Sequence, residues 1–237
     1  MHSFDFQPIG IIHSCYTEKF GIPRQSGLVT AAPVTLELYA PYDRPEALME
    51  LRGFSHVWVI FVFHQAMRDE WKPTVRPPRL GGNQRIGVFA SRSPFRPNPI
   101  GLSAVMLEDI QCDNGHCQLR LRGGDFLDGT PVLDIKPYLP YADALPDACG
   151  GFAAQPPHNE MTVVFNELAT AQCARWEQAQ YPGLRSLIEQ VLQADPRPAY
   201  RVGRKDKQSF GMRLYDLDVK WVVCGSRIEV TALSLKA

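Results

Sequence analysis

Residues 55–63, SHVWVIFVF, constrain the fold of this chain more than any other segment. Their β-branched and aromatic side chains favour a strand, and the unbroken apolar character predicts a strand buried on both faces. Alternating or β-branched patterns predict further strands at 6–14, 34–39, 85–90, 102–110 and 116–121. Between the last two, Asp113-Asn114-Gly115 predicts a tight hairpin, because Asn-Gly accepts the positive φ that such a turn needs.

Short strands separated by turns rich in glycine and proline predict a β-barrel or a β-sandwich. A doubly wound α/β sheet is disfavoured, since long crossover helices are missing and no GxGxxG follows a strand. The only helix predicted in this part is short, at 45–51. A nucleotide-like cofactor, if one binds, would therefore not use the Rossmann arrangement.

The composition changes at 148–158, ACGGFAAQPPH, which is typical of a linker. Helices are predicted beyond it at 167–179 and 182–194, and the second has an apolar stripe of Leu184, Leu187, Ile188, Val191 and Leu192. Strands are predicted at 209–215, 219–223 and 227–233. We therefore expect a mainly β chain, with an N-terminal β-barrel domain at 1–148 and a small α+β domain at 159–237.

Composition excludes several classes of protein. The six cysteines show no CxxC spacing, and no histidine cluster accompanies them, so we expect no metal site. The N-terminus does not resemble a secretory signal, and the longest apolar stretch is too short to cross a bilayer. We expect a soluble cytoplasmic protein with reduced thiols and no membrane partner.

Residues 71–107 contain no aspartate or glutamate, although the chain has 25 acidic and 25 basic residues. The run carries Lys72, Arg76, Arg79, Arg85, Arg92 and Arg96. Two interpretations are open. The run presents its positive charge to an anionic partner, or it is a solvated loop whose arginines pair with carboxylates elsewhere in the fold. A second basic cluster, diluted by Asp195 and Asp206, leaves the same two interpretations open; it comprises Tyr200 with Arg197, Arg201, Arg204, Lys205 and Lys207.

Four segments combine stiff or turn-forming backbone with polar side chains: PRQSG at 23–27, HQ at 64–65, RSPFRPNPIG at 92–101, and LDGTP at 127–131 running into DIKPY at 134–138. Alternating prolines fix φ and hold a ligand with little ordering cost, or they merely close the edge of a barrel. His64 is equally explained as a hydrogen-bonded structural group, and Asp134 with Lys136 as an exposed ion pair.

PRQSG, FHQ, RPPRLGG, RSPFRPNPIGLS, LDGTPVLDIKPYLPYAD and DPRPAY, in this order, resemble the TsaA-like or TrmO family. The resemblance covers residues 9 to about 141, and DPRPAY with the final strands is similar to the C-terminal domain of longer bacterial members. It implies a non-Rossmann β-barrel methyltransferase that is a homodimer. The expected reaction moves a methyl group from S-adenosylmethionine to N6 of threonylcarbamoyladenosine at tRNA position 37, beside the anticodon.

The resemblance also implies site residues. The cofactor pocket would comprise Pro23, Arg24, Gln25, His64, Gln65, Arg92, Leu102, Leu127, Asp128, Gly129 and Thr130. Arg24 or Arg92 would pair with the carboxylate of the cofactor. The arginines expected to hold the tRNA anticodon stem-loop are Arg76, Arg79, Arg85, Arg96, Arg197 and Arg201.

Methyl transfer to N6 requires alignment and the loss of one proton, for which Asp134, Tyr138 and His64 are the candidate acceptors. Two other classes of function stay open at this point. One is a regulatory protein that binds S-adenosylmethionine without transferring its methyl group, and the other is a plain RNA-binding module.

Overall fold

Six strands close into an antiparallel barrel in the order β1-β2-β7-β6-β3-β8. The computed structural model describes residues 3–155, 161–198, 201 and 207–236. The barrel strands are β1 (Gly10–Ser14), β2 (Pro33–Leu38), β3 (His56–Val62), β6 (Ile100–Asp113), β7 (His116–Arg122) and β8 (Pro131–Pro137). Two short strands, β4 (Thr74–Val75) and β5 (Ile86–Gly87), pair with each other outside the barrel. The expected barrel is confirmed.

Strand β3 corrects the expectation of burial on both faces. Val57, Val59 and Phe61 point into the barrel core and are at most 3% exposed, whereas the intervening Trp58 and Ile60 are only partly buried. An antiparallel barrel covers one face of each strand, so the second apolar face of β3 is left on the outside of the described chain. The strand at 85–90 is also shorter than predicted, because β5 passes at once into a 3₁₀ turn, Val88–Ala90.

The β6–β7 hairpin is confirmed, and it corrects the expectation about thiols. Asn114 and Gly115 have φ values of 53° and 82°, as a tight turn with two left-handed residues requires. Cys112 and Cys117 lie directly opposite each other on the two strands and form a disulfide. The remaining cysteines, Cys15, Cys149, Cys173 and Cys224, are free.

The C-terminal part is a four-stranded sheet with two helices, as predicted for an α+β unit. Its strands are β9 (Thr162–Phe165), β10 (Gln208–Leu214), β11 (Leu217–Cys224) and β12 (Arg227–Leu235), in the sheet order β10-β11-β12-β9. Its helices are α2 (Glu167–Ala179) and α3 (Leu184–Gln193); the remaining helix, α1 (Pro140–Asp143), follows the barrel. The Asn166 side chain caps α2 by accepting a hydrogen bond from the Ala169 amide at 2.8 Å.

Some local predictions failed. Residues 45–51 form two 3₁₀ turns, Pro45–Leu48 and Leu51–Gly53, instead of one helix. Strands β8 and β9 were not predicted as strands. Further 3₁₀ turns occupy His64–Ala66, Pro78–Leu80 and Gly151–Ala153.

The two units share buried surface. Cys15, Tyr16, Val29 and Ala32 belong to the long connection between β1 and β2, yet they pack in one apolar cluster with α3 and the C-terminal sheet. The division of the chain at 1–148 and 159–237 stays a prediction, and residues 1, 2, 159, 160, 199, 200, 202–206 and 237 of these ranges lie outside the described part. In space, the first unit contributes to the core of the second.

Candidate cofactor cavity and nucleic-acid groove

A cavity of about 750 Å³ lies at one rim of the barrel. This volume is typical of small-molecule sites. Nine of the predicted cofactor-binding residues line it: Pro23, Arg24, Gln25, His64, Gln65, Arg92, Leu102, Leu127 and Thr130. They come from the β1–β2 connection, the end of β3, the proline-rich loop before β6, β6 itself and the turn before β8, so the barrel closure brings distant motifs together.

The other two predicted residues, Asp128 and Gly129, form the turn behind the cavity wall. The Asp128 Oδ1 accepts a hydrogen bond from the Ser14 amide at 2.9 Å, and Gly129 adopts a φ of 76°. The Gly129 amide donates to the Ile12 carbonyl at 2.9 Å. These hydrogen bonds fix the conformation of the turn, and the turn places Leu127 and Thr130 against the cavity.

Four cationic side chains line the cavity: Lys19, Arg24, Arg92 and Arg96. The Arg92 Nη1 donates to the Gln25 Oε1 at 2.5 Å, and the Lys19 Nζ donates to the Gln65 carbonyl at 2.9 Å. The Arg24 Nη2 lies 3.5 Å from the carbonyl oxygen of Arg197. Lys19, which also lines the cavity, was not predicted as a site residue.

Asp125 is the carboxylate of the cavity, and sequence reasoning missed it. Its Oδ1 accepts a hydrogen bond from the Ser103 Oγ at 2.7 Å. Burial raises the pKa of Asp125, while the Ser103 hydrogen bond and the nearby Arg92 guanidinium oppose that rise. The only sequence signal was its place in GGD, two residues before the LDGTP motif.

The three candidate proton acceptors separate in space. His64 lines the cavity. Asp134 instead pairs with Lys136 at 2.8 Å, and Tyr138 packs its ring against Trp58 with a centroid distance of 5.6 Å. Neither Asp134 nor Tyr138 is among the residues that line the cavity, and the ion pair corresponds to the structural interpretation of DIKPY.

A larger groove, of about 1830 Å³, adjoins the cavity. Its basic lining residues are Arg24, Arg68, Lys72, Arg76, Arg79, Arg85, Arg92 and Arg96, and its acidic ones are Asp69 and Glu70. In the part of the chain that the structure describes, none of the arginines at 76–96 forms an ion pair with a carboxylate. This favours an anionic partner over a loop neutralised within the fold.

The described members of the second basic cluster, Arg197, Arg201 and Lys207, are not among the residues that line this groove. The Arg197 Nε and Nη2 donate to Asp195 at 2.7 and 2.9 Å, and its side chain is 5% exposed. Arg201 offers its carbonyl to the Gln208 Nε2 at 3.3 Å. Tyr200, Arg204 and Lys205 lie outside the described residues.

No group of His, Cys, Asp and Glu in the described residues is arranged to hold a metal ion. Likewise, no described helix has the length and apolar character needed to span a membrane.

The fold is a β-barrel without a Rossmann arrangement, and a cavity of small-molecule size adjoins a basic groove. These features are typical of a protein that binds a small ligand and an anionic polymer side by side. The family model described as the tRNA-methyltransferase O N-terminal domain matches residues 11–144, and the model of its C-terminal domain matches residues 158–236. The chain belongs to the tRNA-methyltransferase O family.

Full-length relatives agree with this assignment. The chain is 50% identical over 233 residues to the tRNA (adenine(37)-N6)-methyltransferase of Escherichia coli strain K12, covering 98% of this chain and 99% of that protein. The crystal structure of TrmO from Pseudomonas aeruginosa superimposes with a TM-score of 0.82 at 43% identity, covering 98% of this chain and 99% of that one.

A more distant relative matches a shorter part of the chain. It is named a probable S-adenosyl-L-methionine-binding protein of Pyrococcus abyssi and is 41% identical over 138 residues. The match covers 58% of this chain and 70% of that protein.

Proposed function

We propose that this protein is an S-adenosylmethionine-dependent tRNA methyltransferase that methylates N6 of adenine 37, in its threonylcarbamoyl form, beside the anticodon. The observation that carries the proposal is a shared wall between the cavity and the groove. Both are lined by Arg24, Gln25, Ala66, Phe89, Arg92, Pro94, Phe95, Arg96 and Pro97. A nucleotide held in the groove would therefore meet a cofactor held in the cavity.

The donor groups of the cavity fit S-adenosylmethionine. Arg92 and Arg24 supply guanidinium groups for its carboxylate, and the Asp125 carboxyl lies in the same cavity for its amino group. The apolar side chains of Phe61 and Phe63 in the cavity wall suit the adenine ring of the cofactor. When bound, the sulfonium supplies an electrophilic methyl group, and the protein is required chiefly to align it with N6.

His64 is the proposed acceptor of the N6 proton, since it lines the cavity and Asp125 is assigned to the amino group of the cofactor. Asp134 and Tyr138 stay predictions, and their positions outside the cavity lining weigh against them.

The same proposal includes a homodimer in the cytoplasm. Ile60 of β3 faces Leu102 of β6, and His56 faces Met106, so these side chains share the outer face of the barrel. Ile100, Leu102 and Met106 are 42%, 54% and 43% exposed, which leaves an apolar patch suited to a second copy. Leu102 also lines the cavity, so a second copy seated there would border the cofactor site.

Methyl transfer distinguishes this function from its alternatives. The purified protein, S-adenosylmethionine carrying a labelled methyl group, and tRNA lacking the methyl group are incubated together, and digested nucleosides are examined by mass spectrometry. We expect label on threonylcarbamoyladenosine. Tight cofactor binding without label on any nucleoside would support the regulatory alternative, and RNA binding without cofactor binding would support the plain RNA-binding module.

A further inference from the structure

Two large aromatic side chains in the groove are unusually exposed. Trp71 is 52% exposed and Phe89 is 74% exposed, although both are apolar. Their ring centroids lie 6.4 Å apart at an interplanar angle of 32°. Adjacent exposed aromatic rings expose apolar area that a binding partner can cover.

The backbone holds the two rings in place. Strands β4 and β5 pair Thr74 with Gly87, and the Val88 amide donates to the Pro73 carbonyl at 2.9 Å. Val88 is 1% exposed and anchors the segment next to Phe89. Trp71 and Phe89 therefore lie on opposite arms of one small hairpin, at its base, with little backbone left to order on binding.

The two rings together present an exposed aromatic surface on which a base can stack. The directly stacked pair Tyr181 and Tyr215 has a centroid distance of 4.1 Å and an angle of 7°. Trp71 and Phe89 form a wider, tilted pair, whose centroid distance of 6.4 Å is still within the range of about 4.5–7 Å for ordinary aromatic contacts. A base would therefore stack on the exposed faces of this pair and not between the two rings.

The surroundings define the occupant as a nucleic acid. Eight cationic side chains and two carboxylates line the groove, so its charge complements a phosphate backbone. Phe89 also lines the cofactor cavity, whereas Trp71 lines the groove alone. A base stacked on the two rings would thus lie at the junction of both spaces, and stacking on aromatic side chains is the common way in which proteins recognise single-stranded RNA bases.

We propose that Trp71 and Phe89 form a stacking subsite that receives an unstacked nucleobase of the anticodon loop. This inference rests on the proposed tRNA substrate. It identifies the residues that hold a base of the loop once the base has left its stack. The phosphates on either side would be held by neighbouring cations such as Lys72 and Arg96.

The test compares Trp71→Ala with a matched control, Phe152→Ala, in the full-length protein. Phe152 lines the same groove and is 44% exposed, but it forms no ring pair with Trp71 or Phe89. We measure the affinity for a fluorescently labelled anticodon stem-loop, together with the affinity for S-adenosylmethionine by calorimetry. Trp71→Ala should weaken stem-loop binding by about 5- to 150-fold, leave cofactor affinity unchanged, and be rescued by Trp71→Phe.

Several outcomes would overturn the proposal. Equal losses in Trp71→Ala and Phe152→Ala would assign the effect to general groove contact, and no loss would remove the subsite. If Trp71→Ala converted a dimeric wild type to monomers in the ultracentrifuge, the rings would belong to a contact between copies. A wild type that binds the stem-loop through Trp71 but transfers no methyl group would retain the subsite and reject the proposed function.

Discussion

Two segments border the cavity and are held in different ways. Residues 15–32, the cofactor loop, bury Cys15, Tyr16, Val29 and Ala32 in the C-terminal core. Residues 66–99, the groove segment, bury only Ala66 and Val88 among their apolar side chains. The first is part of the folded interior, and the second is a largely exposed ribbon stiffened by proline.

Hydrogen bonds strengthen the contrast. The Tyr215 amide donates to the Cys15 carbonyl at 2.7 Å, and the Arg213 amide donates to the Glu18 Oε1 at 2.9 Å. The Gln190 Oε1 of α3 accepts from the Ala31 amide at 3.0 Å. The C-terminal unit therefore holds the loop that carries Pro23, Arg24 and Gln25, and this part of the cofactor wall opens only if core contacts break. The groove segment is instead held mainly by its own backbone pairing and its prolines.

The largest effect on stability should come from shortening a buried side chain of the cofactor loop. Tyr16 is fully buried in the shared core, so Tyr16→Ala should lower the free energy of unfolding by about 3–5 kcal/mol, as for other buried aromatics. Urea titration measures the change. Phe89→Ala, at a 74% exposed position, should change the free energy of unfolding by less than about 0.5 kcal/mol. Similar losses in both variants would show that the two segments are equally buried in solution.

The next effect concerns Arg92, a member of the groove segment that reaches the cofactor loop through Gln25. Arg92→Ala should weaken S-adenosylmethionine binding by about 10- to 100-fold, because a charge-assisted hydrogen bond is worth about 1.5–3 kcal/mol. Calorimetry provides the measurement, with Arg92→Lys as a control that keeps the charge and loses the planar fork. Unchanged affinity in Arg92→Ala would place the cofactor carboxylate elsewhere.

A smaller effect separates phosphate binding from cofactor binding. Arg76→Ala should weaken tRNA binding without altering cofactor affinity. It should also lower the salt slope of log K by roughly 0.7 to 0.9 for each phosphate that the protein no longer neutralises. Arg120→Ala, at an exposed position on β7, serves as a matched control with no expected change in slope. A loss of cofactor affinity in Arg76→Ala would mean that the groove and the cavity are not separate sites.

The features that were predicted best from the sequence are those that depend on residues close together in the chain. The 3.6-residue stripe of α3 and the Asn-Gly turn depend on neighbours in the chain, and both were found as expected. Strand β8 was missed because its residues were interpreted as a functional motif, and its pairing with β1 and β3 depends on barrel closure. The second face of β3 looked buried because apolar character alone does not distinguish a core from an uncovered patch.

The candidate site shows the same limit. Motif residues such as Gln25 and Arg92 lie far apart in sequence, and the structure brings them within hydrogen-bonding distance. Asp125 carries no motif of its own, and its importance comes from burial and from its hydrogen bond with Ser103 of β6. The support of the cofactor loop by α3 and β10 likewise depends on contacts between distant parts of the chain, which no local pattern reveals.

The last prediction concerns the point where the two segments meet. Burial raises the pKa of Asp125 above its ordinary value of 3.8, while the Ser26 amide of the cofactor loop and Arg92 of the groove segment oppose the rise. A raised native pKa means that the unfolded chain ionises first. Stability is therefore lost as pH rises from 3.8 to the native pKa, and the loss is complete above it.

Asp125→Asn lacks this ionisation, so its free energy of unfolding relative to the wild type should increase from acid to neutral pH. Asp109→Asn provides the opposite case. Its hydrogen bond from Arg52 lowers the pKa of Asp109, so this variant should become less stable than the wild type as pH rises. Urea titrations between pH 3 and 7 measure both trends. No pH trend for Asp125→Asn would mean that Asp125 is solvated and that the two segments do not close around it. A trend parallel to that of Asp109→Asn would mean that hydrogen bonds and Arg92 outweigh burial and lower the pKa of Asp125.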